Sequence, residues 1–187
     1  ESRGLGDVYK RQDYWLEHDE SGDFPEEFYR AMADGGWLGI AMPEEFGGAG
    51  LGVTEASIMM HTVAKTRGAM SAASAIHMNI FGPHAITVFG NQEQKERWIP
   101  DLIAGEYKSC FGVTEPNSGL NTANLQTRAE RTNSGWVVNG RKIWTSTAQV
   151  ASKILLIART TPQEDCAKPI DGLSLFFTDL DLSLIHI

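Results

Sequence analysis

The chain has 187 residues, 42% of them hydrophobic, and its 24 acidic and 16 basic residues leave a net charge of −8. That hydrophobic share supports a packed core, in one large or two small domains, rather than disorder. The acidic balance excludes sequence-independent nucleic-acid binding, which needs clustered Lys and Arg against phosphates. No apolar run reaches the roughly 18–20 residues of a membrane span.

Residues 1–12 (ESRGLGDVYKRQ) have no start methionine, no apolar stretch and no period, and read as a non-native leader. Phe24-Pro25-Glu26-Glu27 opens a helix, with acids in the first turn where the dipole favours them. Phe28, Met32 and Leu38 form its apolar side, and Gly35-Gly36 marks its end. Met42–Gly52 is a glycine-rich loop. Its spacing, GGAGLG, is not GxGxxG and no buried strand precedes it, so it reads as a turn between helices. Thr54 is placed to cap the next helix, which carries Ile58, Met59 and Val63. Gly82-Pro83 splits Ala72–Phe89 and separates His77 from His84, which removes the one histidine pair at helical spacing. Gln94–Ala104 is a last helix, stopped by Gly105. The paired acids Glu26-Glu27 and Glu44-Glu45 sit where helix starts want negative charge, not where two carboxylates straddle a substrate.

After Tyr107 the pattern turns to strands: Ser109–Val113, Asn124–Arg131, Trp136–Val138, Arg141–Ser146, Lys153–Arg159 and Gly172–Leu180. Asn133-Ser134-Gly135 is one turn, and Asn139-Gly140 is the strongest short hairpin signal. The fold class is therefore α+β and multidomain. An all-helical domain (residues 13–107) precedes an antiparallel β-barrel or sandwich (residues 108–181). Residues 182–187 (LSLIHI) read as a non-native tail. Cys110 and Cys166 lack CxxC spacing and read as free thiols of a reducing compartment.

The segment richest in chemistry is Cys110–Asn124, CFGVTEPNSGLNTAN. A strand runs into a polar turn that offers backbone N–H groups and hydroxyls. Downstream, Trp144-Thr145-Ser146 sets an aromatic plane beside two hydroxyls. Together these suit a flat, polar, redox-active ring. On residue types alone, an ordinary bulged loop and a core tryptophan are the favoured reading.

Four ordered segments resemble acyl-CoA dehydrogenases: Trp37–Gly52 (WLGIAMPEEFGGAGLG), Phe89–Glu106 (FGNQEQKERWIPDLIAGE), Phe111–Asn121 (FGVTEPNSGLN) and Val138–Ser146 (VNGRKIWTS). The resemblance runs from about Asp13 to Asp181 and implies the family's N-terminal and middle domains. It implies FAD as cofactor, cradled by Phe111, Gly112, Val113, Thr114, Gly119, Trp144, Thr145 and Ser146. Thr114 stands where the family bonds the isoalloxazine edge, and Ser146 supplies the hydroxyl near the flavin N5. The family pattern TEPxxGSD reads here as Thr114 to Asn121. Leu120 replaces its substrate-contacting serine and Asn121 its acid, so a contact at Leu120 is left to the backbone.

The reaction implied is α,β-desaturation of an acyl-CoA thioester, with electrons passed to an electron-transfer flavoprotein. The family's catalytic base is a Glu in a C-terminal helical domain, so none is assigned in this chain, which reads as a fragment inactive alone. The resemblance further implies fatty acid metabolism, a homodimer or homotetramer, and a cytoplasmic location (the mitochondrial matrix in a eukaryote). A flavin oxidase on the same fold and a non-catalytic binding module are the alternatives.

Overall fold

The computed structural model describes residues 11–181. Residues 1–10 of the expected leader and the expected tail, 182–187, lie outside the described residues. The chain forms two compact units, Glu1–Ser109 and Cys110–Ile187.

The first unit contains α1 (Gln12–Ser21), α2 (Glu26–Asp34), α3 (Val53–Ala64), α4 (Ala69–Ile80), α5 (His84–Phe89) and α6 (Gln92–Ile103). Helix α1 has no counterpart in the sequence reading. Its segment is mostly polar and buries only Tyr14 and Trp15, so it shows no sustained apolar period. It starts at Gln12, within the expected leader, and ends at left-handed Gly22. Helix α2 begins at Glu26, as its Pro-Glu-Glu signal requires, and buries Phe28, Tyr29, Met32 and Ala33. Leu38 also enters the core, but from the separate 3-10 turn Trp37–Gly39. Thr54 lies inside α3 and not at its cap. Gly52 holds that position, and its N–H donates to the Glu55 carboxylate at 2.8 Å. Helix α6 starts earlier than expected because the Asn91 side chain accepts from Gln94 N at 2.9 Å. Gly82-Pro83 separates α4 from α5, as expected.

Phe28, Tyr29, Met32, Leu38 and Ile76 are fully buried at the centre of this unit. Among them sits a buried polar hub. The Asn79 amide donates to the Tyr29 hydroxyl at 2.8 Å and to the Tyr107 carbonyl at 2.6 Å. Its carbonyl oxygen accepts from Ser109 N at 2.9 Å. One side chain thus satisfies the buried Ser109 N–H and shares the Tyr107 carbonyl with the Tyr29 hydroxyl, which donates to it at 3.3 Å.

The second unit is built on one sheet: β1 (Ser109–Gly112), β2 (Arg128–Thr132), β3 (Gly135–Asn139), β4 (Lys153–Arg159) and β5 (Leu173–Asp179). Its order is β1-β4-β2-β3, with β5 also paired to β4. Strands β2 and β3 form an antiparallel hairpin closed at Thr132↔Gly135. Strands β4 and β5 are antiparallel along their whole length, from Lys153↔Asp179 to Arg159↔Leu173. Strands β2 and β4 meet in parallel at Arg128↔Arg159.

The sheet is therefore mixed and open, which corrects the expected antiparallel barrel or sandwich. The cause lies at Asn139-Gly140. Neither residue has the positive φ of a type I′ turn, and the chain does not fold back there. The hairpin turn is Asn133-Ser134 instead. Gly140 is used for close approach: a Cβ added there would lie 2.2 Å from Thr127 Oγ1. Arg141–Ser146, expected as the returning strand, is irregular. Trp144 (φ 57) and Thr147 (φ 70) are both left-handed, which a strand cannot accommodate.

Candidate functional site

The loop after β1 is held by its own turn. Glu115 N donates to Ser118 O at 3.0 Å, and Ser118 N returns to Glu115 O at 3.1 Å, with Pro116-Asn117 at the corner. The Ser118 hydroxyl donates to Asn121 O at 2.8 Å, which fixes the far side of the loop. Glu115 and Ser118 are buried, whereas Gly119 and Leu120 are exposed, Leu120 completely. Nothing lies within 4 Å of a Cβ built on Gly119, so open space surrounds that position.

The irregular segment 141–146 runs alongside this loop. Ile143 N donates to Thr114 O at 2.9 Å. The Lys142 ammonium donates to Val113 O at 3.0 Å and to Glu115 Oε1 at 2.9 Å. Glu115 also accepts from Thr127 N at 2.8 Å and, through its other oxygen, from Gln126 N at 2.7 Å. One carboxylate therefore ties together the loop, the approach to β2 and the 141–146 segment. Burial pushes the Glu115 carboxyl up, but hydrogen bonding from Thr127, the Gln126 amide and Lys142 outweighs it and holds the group at about 2. Lys142 moves down, because burial of its ammonium outweighs its one carboxylate partner. The carboxylate is thus the anchored member of the pair, and the lysine is held by it.

Both expected halves of the cradle are consequently neighbours. Phe111, Val113, Thr114 and Thr145 are half-buried, Gly112 is buried, and Ser146 is exposed. A Cβ on Gly112 would meet Ile154 and Leu156 of β4 at 3.0 Å, so this glycine serves strand packing. Trp144 is 85% exposed, and its left-handed backbone is a conformation that costs about 1–3 kcal/mol in a bulky residue. It is not the core tryptophan of the simpler sequence reading. The structure brings Val113, Thr114 and Trp144 to the same pair of segments and leaves Leu120 projecting into solvent.

Sequence reasoning missed the bonds from Glu115 to distant segments and passed over Lys142, Thr127 and Arg159. Arg159, at the end of β4, is buried and donates to the carbonyls of Ala123 (2.8 Å), Leu125 (3.2 Å) and Pro169 (3.0 Å). It ties the end of the cradle loop to the sheet. A charged residue closing an apolar strand run was its one available signal. Beside it lies an open polar cavity of about 420 Å³, lined in part by Asn117, Gln126, Arg128 and Glu164. Among the described residues no group of His, Cys, Asp and Glu is placed to hold a metal ion, and no helix is long and apolar enough to cross a membrane.

Both units match known proteins. Residues 10–106 match the family described as acyl-CoA dehydrogenase, N-terminal domain, and residues 110–186 match acyl-CoA dehydrogenase, middle domain. The chain belongs to the acyl-CoA dehydrogenase family. An acyl-CoA dehydrogenase of Bacillus subtilis is 32% identical over 146 residues, 78% of this chain and 38% of the relative. A crystal structure of a probable acyl-CoA dehydrogenase from Mycobacterium abscessus superposes with a TM-score of 0.80 at 29% identity, covering 94% of this chain and 46% of that one. The structure of PigA with FAD and proline shares the fold, with a TM-score of 0.80 at 22% identity, covering 96% and 48%. The chain thus spans less than half the length of these relatives.

Proposed function

We propose that this chain carries part of the flavin site of an FAD-dependent dehydrogenase that desaturates acyl-CoA thioesters at the α,β-bond. The observation that carries the reading is the clamped pair of segments, with Thr114 and Ile143 joined at 2.9 Å and Trp144 left exposed beside them. An exposed indole on a fixed backbone, next to half-buried hydroxyls, fits a planar ring with a polar edge. Family membership supports FAD as that ring.

When bound, FAD supplies the acceptor for the hydride leaving the substrate's β-carbon. Thr114, Thr145 and Ser146 bond the edge of the ring system, Trp144 covers part of its face, and Phe111–Val113 and Gly119 shape the floor and rim. Leu120 meets the substrate through its backbone, since it has no hydroxyl. None of these groups is a base that takes a proton from an α-carbon at neutral pH, and Glu115 is committed to three donors, Gln126 N, Thr127 N and Lys142 Nζ. No residue of this chain is assigned as the catalytic base.

Residues 13–107 and 108–181 are the two domains of this reading. Acyl-CoA is its substrate class, with an electron-transfer flavoprotein as acceptor, a homodimer or homotetramer as assembly, and the cytoplasm or mitochondrial matrix as location. The test is incubation of the folded chain with FAD, removal of free flavin, and a visible absorption spectrum. A retained flavin spectrum with resolved vibrational shoulders supports the reading. A cooperatively melting chain that retains none overturns it.

A further inference from the structure

The segment that presents Trp144 is unusual in having left the sheet. Its backbone is joined to the loop through Ile143 N and Thr114 O. A further fixation comes from the Lys142 side chain, which is 9% exposed and reaches across to a carboxylate that is 6% exposed. We propose that Lys142 and Glu115 are positioning residues, which set the separation of Thr114 from Trp144 and thereby the geometry of flavin binding. This rests on the flavin reading above.

The geometry points to positioning rather than to fold stability alone. Lys142 donates to Val113 O and to Glu115 Oε1, two acceptors on either side of Thr114. The ammonium therefore straddles the residue expected at the ring edge and draws the 141–146 segment onto it. Trp144 follows two residues later, and its own left-handed backbone leaves it little freedom to adjust independently. Gln126 N and Thr127 N hold the carboxylate from a third segment. The pair therefore cannot slide as a unit without breaking bonds to the approach to β2. A site built this way transmits a small shift at Lys142 directly to the spacing of the two ligand-facing groups.

Three variants of the full chain test this: Lys142→Met, Glu115→Gln and the double variant. Three readouts are needed: thermal melting, amide hydrogen exchange at Ile143, and the FAD dissociation constant from quenching of flavin fluorescence. Lys142→Met leaves a buried charge without its partner, so its melting temperature drops. Ile143 exchange should rise and FAD affinity fall, each by about tenfold or more, the scale of one charge-assisted hydrogen bond. The double variant removes both charges, so its melting temperature recovers relative to Lys142→Met. Its FAD affinity stays low, because nothing then reaches Val113 O. That separation of affinity from stability is the signature of positioning. FAD affinity that simply follows melting temperature across the three variants overturns the proposal, as does unchanged exchange at Ile143. Should Lys142→Met fail to fold, the double variant carries the comparison with wild type. A wild-type chain that melts cooperatively and binds no FAD defeats the flavin reading instead, and with it the flavin half of this proposal. Exchange at Ile143 then judges the clamp by itself.

Discussion

Substitution of Gly140 separates two accounts of the same dipeptide. If Asn139-Gly140 were a type I′ hairpin turn, Gly140→Asn would be well tolerated, because asparagine accepts left-handed backbone. The structure gives Gly140 an ordinary backbone and a different constraint. An added Cβ would stand 2.2 Å from Thr127 Oγ1, 2.5 Å from its Cβ and 2.6 Å from its Cγ2. Thr127 is 3% exposed, and its N–H is bonded to Glu115, so it cannot retreat. Overpacking of this kind costs about 1–3 kcal/mol, and an overlap with three atoms of one fixed residue puts Gly140→Ala at the upper end. Gly140→Asn adds further atoms to the same space and is worse. Thr127→Gly in the Gly140→Ala background removes all three clashing atoms and restores part of the loss. Urea denaturation followed by tryptophan fluorescence, to which Trp136 and Trp144 contribute from the second unit, measures the loss. Gly140→Asn within about 0.5 kcal/mol of wild type, or milder than Gly140→Ala, refutes the close-approach account and revives the hairpin.

Three other outcomes follow from particular side chains. Asn79→Ala strands the buried Ser109 N and weakens the satisfaction of Tyr107 O, so it should lower the stability of the first unit by about 2–4 kcal/mol, measurable by urea denaturation. The depressed Glu115 carboxyl, at about 2 against an ordinary 4.5, contributes stability that is complete above the ordinary value and is lost as pH falls from there through 2. The shift corresponds to about 3 kcal/mol, so the stability gap between wild type and Glu115→Gln should close over that acid range in parallel denaturant titrations. A gap independent of pH there contradicts the ionised, hydrogen-bonded carboxylate. Trp144→Gly relieves a left-handed backbone and removes an exposed side chain, so stability should hold or rise while FAD affinity falls, as judged by melting and flavin titration together.

The helices were legible where an apolar face repeats at helical spacing, and their ends where Pro, Glu and Gly stand in their usual places. Helix α1 was not, because two buried aromatics in a polar segment make no period. In the second unit β4 and β5 were legible as apolar runs, within a residue of their bounds. The sheet's openness was not. Asn-Gly signals a hairpin only when the glycine is used for positive φ, and here it is used to let Thr127 approach. The same limit applies to the site. A loop rich in turn residues and an aromatic flanked by hydroxyls could be found by composition. That Lys142 reaches back across Thr114 depends on segment 141–146 lying out of the sheet, which no local pattern encodes. The departure at Leu120 was visible in the sequence, but its complete exposure is a property of the turn fixed by Glu115 and Ser118.

In the proposed function a flavin ring lies against Trp144 and beside Thr114, and indole fluorescence reads that placement. FAD is titrated into the chain and into its Trp144→Phe variant, with tryptophan emission followed in both. Saturable quenching is expected in the wild type, with the Trp144 share of it missing from the variant and FAD affinity lowered by the smaller ring. Quenching of equal depth and midpoint in the two proteins contradicts it, because the flavin would then lie away from the segment that Lys142 and Glu115 hold in place.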